Sequence, residues 1–480
     1  MAWKRSRVRI PSGPPSNFSP PNILIAHRQN DNVIAGEPFL LTRRTFLHST
    51  GVASAAAAAA QTPANAQSAN GKIQLGCIGT GARGQELMQA ILANSGVEIA
   101  AVCDAYTGRV ERAIERTKGR AKAIADYRQL LASKSIDGVV IATPDHWHKT
   151  MILEALDAGK DVYCEKPMTY TAREGADIMA AARKTGRILQ IGAQGVSSAL
   201  QQKAKEIIGT GALGQITMVR AAYNRNTASG AWIYPIPPDA SEKTVDWNAF
   251  QGPAKNRHPF SLERFFRWRC YNDYSGGIAT DLFVHLCTTI HFLMDAKMPS
   301  QAMAMGQLYR WKESREVPDT LNAMLQYPEQ FAVNLSSTFN NQSGFQGSFD
   351  FLGTKGSLSL GGDKLTFSPE RAHEDNQWVV DSWASALEAR YYADPKVQAA
   401  EVPSTWKPHT VSSATVWQAE GQDSTVAHMG HFLDSMRTRK PYWEDASAGH
   451  HAAACAHMVN LSVREHRMVE WDFAKDDIKA

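Results

Sequence analysis

Asp281 and His285 stand four residues apart in a run, Ile278 to Met294, whose other members are nearly all apolar. At that spacing on a helix the two side chains share a face. An ionisable group in so apolar a setting needs a partner. A histidine can pass a proton to or from a substrate near neutral pH, while a carboxylate orients it or the substrate. The spacing suits a purely structural Asp–His pair equally well. A second stretch with chemistry in it is Cys164-Glu165-Lys166-Pro167-Met168. A lysine aimed into a cleft can hydrogen-bond a hydroxyl and share its proton, provided burial lowers its pKa. X-Pro bonds adopt the cis form more readily than others, and a cis turn would fix where Glu165 and Lys166 point. Taken alone, the stretch reads first as an ordinary surface turn.

Gly79-Thr80-Gly81-Ala82-Arg83-Gly84 fits G-x-G-x-x-G, follows the apolar run "KIQLGCI" and opens a helical pattern. That context marks a dinucleotide loop. Gly79 permits the tight turn, Gly81 admits the pyrophosphate to the backbone, and Gly84 lets helix and strand pack closely. The N–H groups of Ala82, Arg83 and their neighbours then open the helix toward the phosphates. Asp104, 20 residues past Gly84, ends the next strand-like run. An acid there meets the ribose 2′-hydroxyl of NAD and repels a 2′-phosphate, so NAD is expected over NADP, although Arg109 could serve a phosphate. "RFFRWRCYNDY", Arg264 to Tyr274, mixes arginines with aromatics and reads as a sugar-binding surface, with Arg269 and Tyr274 among its contacts. Asn224 and Arg225 open a second candidate substrate segment that runs to Ser241. His146 and His148, His428 and His431, and the group His450, His451 and His457 match no strong zinc spacing, so no metal is expected.

The elements that must hold these residues follow from periodicity. From Lys72 to about Gly195, short β-branched runs alternate with helical patterns at Gln85–Asn94, Tyr106–Lys118, Lys149–Ala158 and Ala172–Lys184. This predicts βαβ units and a parallel sheet covered on both faces. The glycine loop, "ATPDHWHK" and "CEKPM" then fall at carboxyl ends of strands, where such sheets bind ligands. After Gly195 the rhythm changes: a helix, a Pro/Trp/Arg-rich segment, a helix over Ile278–Met294, and strand-like alternation from Gln301 to Phe367. Residues 371–422 read as an irregular, tryptophan-bearing excursion, and helices return at Thr425–Arg437 and Ala446–Arg467. The expected class is α/β: a Rossmann dinucleotide-binding domain over 67–195, then an α+β domain with an open, largely antiparallel sheet over 196–480.

Residues 1–66 read as a lead-in and an address. Thr42-Arg-Arg-x-Phe-Leu47, a weak alanine-rich run and "ANA" at 64–66 have the parts of a twin-arginine signal peptide. The run is too weakly apolar for a membrane span. The residues before Arg43 are Pro-, Ser- and Arg-rich, read as disordered, and suggest a start codon assigned too far upstream. The expected location is the periplasm or another exported compartment, with the twin-arginine machinery as partner, or the cytoplasm if the leader is not used. The whole chain carries net charge +4, and the first 66 residues hold seven Lys/Arg against two Asp/Glu. The remainder is therefore near −1, which gives no case for nucleic-acid binding. Of six cysteines, Cys77, Cys103 and Cys164 sit in strand-like runs, and a disulfide among Cys270, Cys287 and Cys455 stays open.

With "GTGARG", "CDAY", "ATPDHWH", "CEKPM", "GGIATDLFVH" and "HMGHFLDSM…DASAGH" in that order, the chain resembles the Gfo/Idh/MocA family of oxidoreductases from about Lys72 to Trp471. The resemblance implies NAD(P)-dependent chemistry on sugars, cyclitols or related polyols, and an open sheet that mediates a homo-oligomer. It implies Lys166, Asp281 and His285 as the catalytic set. It puts Glu165 by the nicotinamide, and Thr143, Pro144, Asp145 and His148 by the cofactor ribose, with Lys166 and Gln194 also touching the cofactor. An exported enzyme cannot draw on cytoplasmic NAD. The expectation is therefore a tightly held cofactor regenerated within the site. One sugar is oxidised and another reduced, or a glycoside is cleaved through transient oxidation at C3, or an external electron carrier takes the electrons. A non-catalytic sugar-binding protein is the alternative of another class.

Overall fold

The computed structural model describes residues 71–343, 347–370, 376–401 and 413–479, which lie in one compact unit. The leader lies outside the described residues, as do Trp406 and other parts of the tryptophan-bearing excursion.

Six strands make the first sheet: β1 (Ile73–Ile78), β2 (Val97–Cys103), β3 (Lys122–Ala123), β4 (Gly138–Ile141), β5 (Asp161–Glu165) and β6 (Leu189–Gly192). All are parallel, in the order β3-β2-β1-β4-β5-β6. The helices between them are α1 (Ala82–Ala93), α2 (Thr107–Arg116), α3 (Tyr127–Ala132), α4 (His148–Asp157) and α5 (Glu174–Thr185). Every residue of β4, β5 and β6 is buried, because helices cover both faces. The strand order reverses between β1 and β4, and the crevice beyond their carboxyl ends is where such sheets take ligands. β3 and α3 escape the periodicity reading: two exposed residues and six residues are too short to show a repeat.

The second sheet has ten strands: β7 (Ile216–Ala222), β8 (Gln301–Gln307), β9 (Thr320–Tyr327), β10 (Phe331–Thr338), β11 (Ser348–Gly353), β12 (Gly356–Gly361), β13 (Lys364–Pro369), β14 (Thr415–Gln418), β15 (Val469–Asp472) and β16 (Asp477–Ile478). Their order is β14-β13-β12-β11-β7-β10-β9-β8-β15-β16. β7 and β10 run parallel, and every other pair is antiparallel. β9 and β10 alternate buried and open positions, so one face is covered. The cover is α6 (Ala199–Gly209), α9 (Val284–Met294) and α14 (Ala446–Glu465). Between β7 and α9 runs a long connection holding α7 (Trp247–Gln251) and α8 (Leu262–Phe266).

Three departures from the sequence reading matter. The helix expected over Ile278–Met294 begins as a π-turn, Ala279–Phe283, and only then becomes α9. The excursion, expected to be irregular, holds α10 (Gln377–Val380), α11 (Ser385–Tyr392), α12 (Pro395–Ala400) and β14 among its described residues. Finally, α13 (Ser424–Thr438) packs against α1 on the first sheet, although it lies far beyond residue 195 in sequence. Met429 and Phe432 of α13 are fully buried with Leu87 and Ile91. The C-terminal chain thus completes the first core. All six cysteines are free and buried; Cys287 and Cys455 face each other with sulfurs 3.1 Å apart.

Candidate active site

The cleft between the sheets measures ≈ 1530 Å³. Its floor is the glycine loop. Gly79 has φ +82°, and a Cβ there would meet the Ala142 carbonyl oxygen at 2.6 Å. A Cβ on Gly84 would collide with the Gly79 carbonyl oxygen, so that position is closed by packing. Gly81 differs: a Cβ would find nothing nearer than Arg109 at 3.4 Å, and would point into the cleft wall. Gly81 caps α1 without a side-chain hydrogen bond, leaving the helix N–H groups open to the cleft. A cradle of bare backbone and uncapped N–H groups fits a pyrophosphate. Asp104 lines the same cleft, its carboxylate accepting from the Thr80 N–H at 2.7 Å and the Tyr106 N–H at 3.0 Å. Arg109 stands 3.7 Å from it and lies over the rings of Phe265 and Phe266. The acid at the second strand end thus fits a ribose hydroxyl.

Arg83, the second residue of α1, ties the loop to the next strands. Its Nε donates to Glu165 at 2.8 Å and its Nη2 donates to the Gln194 side-chain Oε1 at 3.0 Å. Burial opposes its charge, but Glu165, Tyr163 and Glu86 together outweigh this and the guanidinium pKa rises. Glu165 and Gln194 therefore reach the cleft as partners of Arg83.

The Lys166–Pro167 bond is cis. The Lys166 ammonium donates to the Asp281 carboxylate at 2.9 Å and to the Asp281 carbonyl at 2.9 Å. Arg269 Nε donates to the same carboxylate oxygen at 3.0 Å. Burial pushes the Asp281 pKa up, yet Lys166, Arg269 and Arg225 together hold it far below the usual carboxylate range. His285 follows Asp281 across the junction of the π-turn and α9 and lines the cleft beside it. Burial, with the charge of Lys166, drives the His285 pKa well below 6.5. The cluster is therefore a fixed anion held by two cations next to a neutral imidazole. Such a set can bind a hydroxyl and take its proton.

Not every expected residue reaches the cleft. Asp145 is buried and turned toward the π-turn, accepting from Thr280 Oγ1 at 3.1 Å and, at longer range, the Gly276 N–H. Burial raises its pKa. His148 is buried too, bridging the Pro167 carbonyl at 2.6 Å and the Thr143 carbonyl at 3.0 Å. Both brace the loops that carry Thr143, Pro144 and Lys166, which do line the cleft. Tyr274 is packed into an aromatic cluster with His146 and Phe250. Asn224 bonds the Ser343 carbonyl and the Thr338 N–H away from the cleft. Arg225 and Arg269 do line it. Of the other histidines, His428 and His431 both bond Ser197, while His450, His451 and Asp476 bring donor atoms within 4.8 Å of one another. Sequence reasoning named neither Trp268, stacked under Arg269, nor the wall from Glu242 to Phe250. It did point to the segment holding Trp232 and Tyr234, which line the cleft. No described residue between 376 and 422 lines it.

Comparisons with known proteins agree with this arrangement. The family model described as "Oxidoreductase family, NAD-binding Rossmann fold" matches residues 73–193, and that of the "Oxidoreductase family, C-terminal alpha/beta domain" matches residues 205–471. Inositol 2-dehydrogenase of Salmonella typhimurium is 35% identical over 159 residues, 32% of this chain and 47% of that protein. A glycosyl hydrolase family 109 protein of Stenotrophomonas maltophilia is 28% identical over 198 residues, 39% of this chain and 43% of that protein. The chain thus spans about half the length of these curated relatives. Among solved structures, levoglucosan dehydrogenase in complex with NADH and levoglucosan aligns with TM-score 0.61 at 18% identity, covering 83% of this chain and 99% of that one. Aldose-aldose oxidoreductase from Caulobacter crescentus aligns with TM-score 0.60 at 17% identity, covering 83% and 99%. These two share the fold. The glycine cradle, the acid at the second strand end and both matched domain models together establish that the chain belongs to the Gfo/Idh/MocA family of oxidoreductases.

Proposed function

We propose that this protein is an exported NAD-dependent oxidoreductase that acts on a CH–OH group of a sugar, glycoside or polyol and keeps its NAD between turnovers. The observation that carries the redox reading is the Lys166–Asp281–Arg269 cluster beside neutral His285 at the end of a dinucleotide cradle. The glycine loop, the α1 N-terminus and Asp104 would hold NAD, which would supply a hydride acceptor. Lys166 donates a hydrogen bond to the substrate oxygen. His285 accepts the hydroxyl proton. Asp281 holds Lys166 and Arg269 in register.

Retention of the cofactor is supported by a strap. The connection between β7 and α9 folds back beside Asp104 at the second strand end and bonds the first domain: Asp246 N–H to the Ala105 carbonyl at 2.7 Å, Thr107 N–H to the Thr244 carbonyl at 3.0 Å, and Tyr106 hydroxyl to Asp239 at 2.6 Å. Release would require these bonds to open. The family 109 relative favours a second reading, in which oxidation at one sugar carbon, elimination, hydration and re-reduction cleave a glycoside with no net redox change. A homo-oligomer through the open sheet is supported by Met303, Met305 and Met324, exposed on the outer face of adjacent strands. Purification without added cofactor, heat denaturation and mass spectrometry of the supernatant test retention. Near-equimolar NAD or NADH is expected; an empty protein that binds added NAD weakly would overturn it. Cell fractionation tests export.

A further inference from the structure

The substrate end of the cleft carries more positive charge than the proposed chemistry uses. Lys166, Arg225 and Arg269 face it. Three carboxylates lie nearby, and Glu165 is taken by Arg83 at 2.8 Å. Asp281 is shared by Lys166 and Arg269. Asp145 is turned away into its bonds with Thr280 and Gly276, and burial pushes it toward the neutral form. Arg225 is left over. Its guanidinium lies over the Tyr223 ring and makes one side-chain hydrogen bond, to the Gly230 carbonyl at 3.2 Å. Among the described residues no carboxylate is within ion-pair distance of it. It nonetheless acts on the centre, lowering the pKa values of both Asp281 and His285 by its charge.

A cofactor pyrophosphate does not account for this cation. The glycine loop and the α1 N-terminus serve the phosphates, and Arg225 comes from the far wall, just beyond β7, with Asp281 and His285. A half-buried guanidinium with most of its planar N–H fork uncommitted matches a carboxylate or a phosphate. A neutral polyol would leave it without a counter-charge.

We infer that the substrate is an anionic sugar, one whose carboxylate or phosphate is received by Arg225 while its reacting hydroxyl lies against Lys166 and His285. The inference rests on the oxidoreductase reading above and narrows its substrate class. The test uses the NAD-loaded protein with four probes: methyl glucoside, methyl glucuronide, glucose 6-phosphate and myo-inositol. Cofactor reduction and the thermal shift produced by each probe are measured for wild type, Arg225→Lys and Arg225→Met. An anionic probe is expected to exceed both neutral ones in kcat/KM by at least about tenfold, the worth of a charged hydrogen bond. Arg225→Met should erase that ratio and Arg225→Lys should restore part of it. Whether glucuronide or phosphate leads identifies the anion. Equal or better turnover of a neutral probe overturns the inference and leaves the redox reading standing. Absent turnover, with a thermal shift by an anionic probe that Arg225→Met removes, supports the inference and overturns the redox reading. Absent turnover and absent shift overturn both.

Discussion

At the level of single residues, one carboxylate organises the centre. Asp281 accepts from Lys166 and Arg269 through the same oxygen. Lys166→Met should lower turnover by roughly 10²- to 10³-fold, the range for losing one positioned donor to a reacting oxygen. Unchanged biological activity in that variant would instead mark a sugar-binding protein that has kept the fold. His285 gives a pH prediction. Its burial and the charge of Lys166 depress its pKa in the fold. It therefore stays neutral, and able to accept a proton, as the pH falls past its ordinary 6.5. The acid limb of kcat/KM should lie below pH 6.5, and a limb at or above that value would count against His285 as the base.

At the level of elements, the glycine loop and the π-turn do different work. Two alanine substitutions separate packing from binding. Gly84→Ala drives a Cβ into the Gly79 carbonyl and should lower the melting temperature even without cofactor. Gly81→Ala meets only Arg109 at contact distance, so the cofactor-free protein should melt as wild type does. Its NAD affinity should nevertheless fall by tenfold or more, because the methyl occupies the pyrophosphate's approach. Calorimetry and NAD titration of both variants check this pair. The π-turn Ala279–Phe283 widens the helix just where it presents Asp281, and such turns gather at functional sites. Thr280 within it ties Asp145 of the first domain. Thr280→Val should cost about 1–3 kcal/mol in stability by leaving a buried acceptor short of a donor, measurable by denaturant unfolding.

Across the whole molecule, the strap and the buried histidines set the behaviour. Tyr106→Phe removes the bond to Asp239 and should speed NAD release by up to about tenfold, measured by exchange with labelled NAD. Burial lowers the pKa of His146, His428 and His457 to about 4. Each is neutral in the fold while the unfolded chain takes up a proton below about 6.5, so stability is full above that pH and drains away as the pH falls. The loss is at most roughly 3 kcal/mol per group by pH 4. Burial raises the pKa values of Asp145, Glu174 and Glu444, which work in the opposite direction. The comparison is therefore between wild type and His428→Gln, whose melting temperatures should converge as the pH falls from 7 to 4. A constant gap would refute the assignment.

The sequence by itself determined the first fold and its loop. Gly79 to Gly84 and Asp104 are local: a tight turn, a close helix and an acid 20 residues on must be written in consecutive residues. Strands such as "DGVVI" are legible because a parallel sheet buries both faces and leaves no polar positions. Lys166, Asp281 and His285 could be nominated by type, but nothing local brings residues 166 and 281 together. That meeting is a product of the domain interface, which burial and three charges on one carboxylate stabilise. The same interface turned Asp145 and Tyr274 away, and packing within the first domain turned His148 to the Pro167 and Thr143 carbonyls, since a buried polar group takes whichever partner the packing offers. It also carried α13 back to the first sheet and laid the strap against Ala105 to Thr107. Those contacts join residues more than a hundred positions apart, and no period along the chain encodes them.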